Sequence, residues 1–181
     1  MIRYAITDPS FFTTTKEKQN YLSHIKAEYV LFRDKINSNY KEQAVIFLTL
    51  SQGMGFKRIL HRDYNLAFNL KADGVHLASN QLKDIQKSKE LGLWTAISCH
   101  SINDIKEARN LGADVATLSP IFNTPNKGKP KGIEELKKAV ECCDIKIIAL
   151  GGIITKEHIE QINSTNAFGF ASIRYFYNRS L

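Results

Sequence analysis

The sequence has 181 residues, 43% of them hydrophobic and 24% charged, with a formal net charge of +7. That length buries a sizeable core yet is short for two ordinary domains, so a single domain over 1–181 is expected; no apolar run approaches the ~20 residues of a membrane span, and the opening Met1-Ile2-Arg3-Tyr4-Ala5-Ile6-Thr7 lacks the basic and apolar stretches of a signal peptide. The positive charge is spread along helical patterns such as Lys83, Lys87 and Lys89, which reads as solvated helix faces, so neither nucleic acid nor membrane is an expected partner.

In chain order, short runs rich in β-branched and aromatic residues alternate with helical patterns. Strands are predicted at residues 3–7, 29–33, 58–61, 74–77, 95–98, 115–118, 146–150 and 168–173. The apolar run 44–50 suits a buried strand or a helix. Taken as a strand it follows another strand with no crossover between them, whereas a helix keeps eight β/α units evenly spaced, so a helix is predicted. Ser79 is predicted to cap a helix through Leu82, Ile85 and Leu91 that Gly92 ends. Ser101, with Asp104 three residues on, opens another that Gly112 stops. Ile133, Leu136 and Val140 recur at helical spacing, and Thr155 caps a helix carrying Ile159 and Ile162.

Eight parallel units imply a (β/α)₈ TIM barrel. The chain is short for one, since ~250 residues are usual. The last helix is expected to be truncated at the tail Tyr175-Phe176-Tyr177-Asn178-Arg179-Ser180-Leu181, leaving the wall near strands eight and one thinly covered. A homodimer through Phe168, Phe170, Tyr175, Phe176 and Tyr177 is the expected remedy. The alternative is that Phe11 and Phe12 fold over the gap within one chain. Cys99, Cys142 and Cys143 are odd in number and include an adjacent pair, which fits a reducing, cytoplasmic setting better than a disulfide framework; no spacing suggests zinc.

Barrel chemistry gathers at the C-terminal ends of the strands. Those ends carry Arg33, Asp34 and Lys35; His61, Arg62 and Asp63; Ser98, Cys99 and His100; Gly151 and Gly152; and Arg174. Such a basic and polar set can clamp a phosphate or pyrophosphate. Gly151-Gly152 is either a simple tight turn or, joined with Ile173 and Arg174, a backbone phosphate cradle; the pairing favours the cradle. Histidine suits proton transfer, and His61 and His100 are the candidate acid–base groups. His61 is the sharper of the two, beside Arg62, and His100 has the alternative of orienting the strand-five loop. His76, inside a strand, reads as a packed and hydrogen-bonded interior residue. Cys99 reads as an inert, half-buried thiol, and Tyr4 and Trp94 as barrel packing.

The stretch Gly112-Ala113-Asp114-Val115, continuing through Ser119-Pro120-Ile121-Phe122 to Thr124-Pro125-Asn126-Lys127, is an apolar strand that breaks into a polar loop ending in lysine. It resembles the signature loop of the thiamin phosphate synthase family, which includes a TenI-like tautomerase branch. Leu31-Phe32-Arg33-Asp34-Lys35, Ala72-Asp73-Gly74-Val75-His76-Leu77, Ser98-Cys99-His100 and Ala149-Leu150-Gly151-Gly152-Ile153 resemble further motifs of that family, in order along nearly the whole chain. The resemblance implies a thiamin-biosynthesis protein that binds a phosphorylated thiazole or pyrimidine. By position, Arg33 and Lys35 would meet a pyrophosphate and Ser98 a pyrimidine. Thr124, Asn126 and Lys127 would hold phosphate, with Gly152, Ile153, Ile173 and Arg174 at the cradling turns.

Departures from the family pattern bear on the reaction. The family's Asn-Asp-Arg after strand three, which supplies a carboxylate to Mg²⁺, is His61-Arg62-Asp63 here. A second metal aspartate falls at Gln81, a strand-two glutamine at Leu31, and a histidine used by the TenI branch at Pro120. Mg²⁺ takes oxygen ligands, carboxylates above all; a one-residue slip brings Asp63 to one of the two places but does not restore both acids, so Mg²⁺ stays a possible cofactor with no metal ligand assigned. The synthase reaction is expected to be weak or absent, leaving a binder of thiazole phosphate-type ligands. The alternatives are a working synthase joining the pyrimidine pyrophosphate to the thiazole phosphate, a thiazole tautomerase, or an unrelated phosphate-sugar barrel isomerase.

Overall fold

The structure, a computed structural model, describes residues 1–35 and 37–177. Its strands are β1 (Ile2–Ile6), β2 (Tyr29–Phe32), β3 (Lys57–His61), β4 (Gly74–Leu77), β5 (Trp94–Cys99), β6 (Val115–Leu118), β7 (Lys146–Leu150) and β8 (Gly169–Ser172). Between them lie α1 (Thr15–His24), α2 (Tyr40–Leu50), α3 (Tyr64–Asn69), α4 (Asp84–Glu90), α5 (Ile102–Asn110), α6 (Gly132–Cys142) and α7 (Lys156–Asn163); α8 (Arg174–Tyr177) follows β8. The strands pair in parallel and in sequence order, and β1 pairs with β8, closing a (β/α)₈ barrel. The ambiguous run 44–50 lies within α2, as the even spacing predicts.

Alternation along the strands builds two apolar layers. Tyr4, Ile6, Leu31, Ile59, Ala96, Val115, Ile148 and Ala171 fill the barrel interior. Their neighbours Ala5, Val30, Leu60, Val75, Ile97, Ala116 and Phe170 pack outward against the helices. Tyr29 stacks on Trp94 with centroids 4.7 Å apart, and Tyr4 meets both rings edge-on, so Tyr4 and Trp94 are interior packing as predicted.

The strand starts share one device. Glu28, Asp73 and Asp114 each precede a strand and accept the backbone N–H of Arg3, Arg58 and Thr95 on the strand before, at 2.6–2.8 Å. Arg3, Arg58 and Lys89 add ion pairs to these acids. The aspartates of the Ala72-Asp73-Gly74 and Gly112-Ala113-Asp114 motifs therefore serve the end of the barrel opposite the strands' C-terminal mouth, where stability is built.

Caps set the helix starts. Thr14 and Glu17 form a reciprocal capping box on α1, and Ser101, Thr155 and Asp63 cap α5, α7 and α3 with their side chains. The predicted cap at Ser79 is corrected. The chain turns through 80–83 first, with the Gln81 N–H donating to the Ala78 carbonyl, and α4 starts only at Asp84 behind Lys83. Among the described residues α8 has four residues, which fits a short last helix; residues 178–181 lie outside those described. Phe11 stacks on Tyr177 at 4.2 Å and Phe12 meets the same ring edge-on at 6.2 Å. The N-terminal segment thus covers this wall within one chain, and Phe170 and Phe176 beneath it are buried. No helix among the described residues is long and apolar enough to cross a membrane.

Candidate functional site

A cavity of about 440 Å³ opens at the C-terminal mouth of the barrel. That lies within the range of small-ligand sites. Its walls include Arg33 and Lys35 after β2, His61 on β3, Ser98 on β5, His100 after β5, and Thr124 and Lys127 after β6. Gly152 and Ile153 after β7 and Ile173 and Arg174 after β8 complete them. Eleven of the twelve residues singled out from the sequence are thus brought together. Asn126 stands apart: it does not line the cavity, but takes φ +60 in the turn where the Lys127 N–H donates to the Thr124 carbonyl.

The glycine pair is built into the wall rather than merely permitted there. Gly151 and Gly152 hold φ +99 and +72. A Cβ on Gly151 would lie 2.8 Å from Pro120 Cα, and one on Gly152 2.6 Å from the Asn123 carbonyl oxygen. The Phe122 N–H donates to the Gly151 carbonyl at 3.0 Å and the Ile121 N–H to that of Leu150 at 2.9 Å. Only glycine lets the turn after β7 pass this close beneath the loop after β6. Ser172 closes the adjoining corner, its hydroxyl donating to the Ile153 carbonyl at 2.7 Å.

Positive charge gathers at the mouth. Arg33 is half-buried and has, among the described residues, one long ion pair, 4.0 Å to Asp8. Its neighbourhood holds the Lys35 pKa below the ordinary lysine value, first through Arg33, then through burial, Lys127 and Arg62. Arg33, Lys127 and Arg62 all lie close enough to weigh on Lys35, a cluster of charge that an anion would relax. Asp8 was not singled out from the sequence; its signal was position, just past the end of β1.

Histidines and a serine form the floor. The Tyr4 hydroxyl lies 3.0 Å from His76 Nδ1, and His76 Nε2 lies 3.0 Å from Ser98 Oγ. Burial raises the Tyr4 pKa well above the phenol value, so the hydroxyl keeps its proton. His76 is pushed down to about 4, by burial and then by Arg33, so it is neutral and carries one N–H. Among the described residues the Tyr4 hydroxyl has no acceptor besides Nδ1. It therefore donates there, Nε2–H donates to Ser98, and the Ser98 proton is left for the cavity.

His61 is held neutral as well, pushed down to about 3 chiefly by burial, then by His76, Arg33, Lys35 and Arg62. That lies far from the near-neutral titration that made it a candidate acid–base group. Its surroundings of arginine and lysine disfavour a second cation. His100 places Nδ1 3.1 Å from the Ser119 carbonyl, so Nδ1 carries a proton and donates there. Burial pushes the Cys99 thiol up to about 12, in keeping with an inert thiol.

The residues present do not fit a divalent cation. Arg62 and the amide of Gln81 stand where the resemblance would place two carboxylates. The one nearby acid in that turn, Asp63, caps α3 by accepting the Leu66 N–H at 2.8 Å. Among the described residues no group of three His, Cys, Asp or Glu side chains could hold a metal ion.

Comparison with known proteins agrees with this architecture. A family model described as thiamine monophosphate synthase matches residues 3–176. A protein of Aquifex aeolicus named "Putative thiamine-phosphate synthase 2" is 35% identical over 121 residues, 65% of this chain and 64% of its own length. The match thus spans less than two thirds of that relative. A thiamine-phosphate synthase of Lactococcus lactis is 29% identical over 153 residues, 78% of this chain and 69% of its own. In fold, the chain superposes on a thiamine phosphate pyrophosphorylase from Pyrococcus furiosus with a TM-score of 0.81 at 23% identity, covering 99% of this chain and 94% of that one. With the family model spanning nearly its whole length, this chain belongs to the thiamine monophosphate synthase family.

Proposed function

We propose that this chain serves thiamin biosynthesis by binding a thiazole phosphate-type ligand at the mouth of the barrel, and that it joins thiazole phosphate to a pyrimidine pyrophosphate weakly or not at all. The observation that carries this reading is the glycine turn after β7, locked beneath the loop after β6 and facing the basic wall of Arg33, Lys35 and Lys127. Backbone groups near Gly152 and Ile173 hold the phosphate, and Lys127 supplies charge. The ring lies toward Ser98, whose free proton meets an acceptor on the heterocycle. The apolar Leu31 at the strand-two position gives that ring a surface to pack on rather than a polar partner.

The weak synthase reaction follows from the donor set. Arg62 and Gln81 cannot supply the carboxylates that would position a metal on a pyrophosphate leaving group. Calorimetric titration with thiazole phosphate, thiamin phosphate and the pyrimidine pyrophosphate tests the reading. Thiazole phosphate is expected to bind, and Lys127→Ala to weaken it by about 1–3 kcal/mol, the range for a hydrogen bond to a charged group. Affinity unchanged in Lys127→Ala counts against the phosphate site. Efficient Mg²⁺-dependent formation of thiamin phosphate by the purified protein overturns the second half of the proposal.

A further inference from the structure

Two loops flank the mouth, one after β3 through Arg62 and Asp63, the other after β4 through Ser79 and Gln81. The Gln81 amide joins them. Its Nε2 donates to the Arg62 carbonyl and to Asp84 Oδ2, both at 3.1 Å, and its Oε1 accepts the Ala78 N–H at 3.1 Å. Both amide protons and the oxygen are thus used, and the donors and acceptors they face settle which way the amide points. The arrangement is specific to this backbone. Arg62 holds φ +69, a left-handed conformation uncommon for arginine, and its N–H donates to the His76 carbonyl at 2.9 Å. That turn brings the Arg62 carbonyl within reach of position 81.

Arg62 and Gln81 are the same two positions at which the family pattern has its metal carboxylates. A cation there would tie the two loops through two acids. Here the amide ties them directly, and the arginine brings a permanent positive charge to the neighbourhood of Arg33, Lys35 and Lys127. We propose that the site takes up its phosphorylated ligand without a divalent cation, Gln81 clasping the two loops and the four cations supplying the charge. This rests on the phosphate-ester reading of the same site given above.

The decisive measurement is calorimetric titration of the wild-type protein with the pyrimidine pyrophosphate, the ligand a metal would engage, in excess EDTA and in excess Mg²⁺, beside a titration with thiazole phosphate. The dissociation constant of each ligand is expected to agree between the two conditions within about twofold. Binding that tightens about tenfold or more with Mg²⁺ overturns the inference while leaving the phosphate site standing. Absence of binding by either ligand in both conditions overturns both. The clasp has its own readout, independent of ligand. In Gln81→Ala, amide hydrogen exchange of residues 61–64 and 78–81 is expected to speed up several-fold or more, since the bonds joining the loops are gone. Unchanged exchange overturns the clasp. The double variant Arg62→Asp with Gln81→Asp restores two carboxylates, and aspartate tolerates a positive φ better than most residues. Its binding of the pyrimidine pyrophosphate is expected to fall about tenfold in EDTA and to recover with Mg²⁺. Equal binding in EDTA and Mg²⁺ by this variant overturns the view that positions 62 and 81 decide the metal requirement.

Discussion

The Tyr4 hydroxyl on β1 donates to His76 Nδ1 on β4 at 3.0 Å, with both side chains buried, so the first strand fixes the tautomer of a histidine three strands away. Only that tautomer lets Nε2–H donate to Ser98 and leaves the Ser98 proton facing the cavity. A residue that sequence reasoning assigns to packing thus also orients the floor of the site.

Removing the Tyr4 hydroxyl tests this chain of bonds. Tyr4→Phe keeps the ring and its contacts with Tyr29 and Trp94, but strands a buried imidazole nitrogen. A destabilisation of about 1–3 kcal/mol is expected, the cost of leaving one buried polar group unpaired. Urea unfolding measures it. A variant as stable as wild type would mean that Nδ1 finds another partner and that Tyr4 does not set the tautomer.

The two depressed histidines predict acid sensitivity. In the fold His61 is pushed down to about 3 and His76 to about 4, both chiefly by burial, from an ordinary value near 6.5. The unfolded chain therefore binds more protons than the folded one between those values. Stability is complete above pH about 6.5 and falls as the pH drops through that window, at up to ~1.4 kcal/mol per pH unit for each histidine. Unfolding measured from pH 7 to 4 in His61→Gln and His76→Gln is expected to give shallower slopes than wild type. Identical slopes in all three proteins would assign the acid sensitivity to carboxylates instead.

Gly152→Ala probes the turn after β7. Alanine must hold φ +72 with its Cβ 2.6 Å from the Asn123 carbonyl oxygen, so either the turn or the loop after β6 moves. The conformation alone costs about 1–3 kcal/mol, and the displaced loop carries Thr124 and Lys127 away from the cavity. Lower stability together with lost thiazole phosphate binding is expected by thermal unfolding and calorimetry. Loss of stability with full binding would separate the turn from the phosphate site.

The barrel was legible because its signals are local and repeated. Runs of β-branched residues with alternate faces gave all eight strands to within about a residue at most ends, and counting units decided that 44–50 is a helix where periodicity could not. Ser101 and Thr155 cap helices because a hydroxyl before a helix needs nothing but its own N–H partners. Ser79 misled for a long-range reason: the Gln81 side chain organises that turn through Arg62, nineteen positions earlier in sequence and turned toward it by a positive φ. Most of the site residues were readable from their place after strand ends. The neutral state of His61 was not, because it depends on burial and on cations of the loop after β2.

The covering of the β8–β1 wall leads to a prediction about assembly. A wall left bare by a short last helix was the sequence-based motive for a homodimer. Phe11 and Phe12 instead lie on Tyr177, and Phe170 and Phe176 beneath are buried. Among the described residues this wall is thus covered within one chain, which removes the motive for pairing there. The wild-type protein is therefore expected to sediment as a single chain at micromolar concentration. Replacing Phe11 and Phe12 together by alanine removes the cover. It should cost about 2–4 kcal/mol in burial for two partly buried rings and open apolar wall to a second copy. Sedimentation of the wild type as a dimer would show that another face associates, whereas a doubly substituted variant that stays monomeric and equally stable would show that the aromatic cover contributes little.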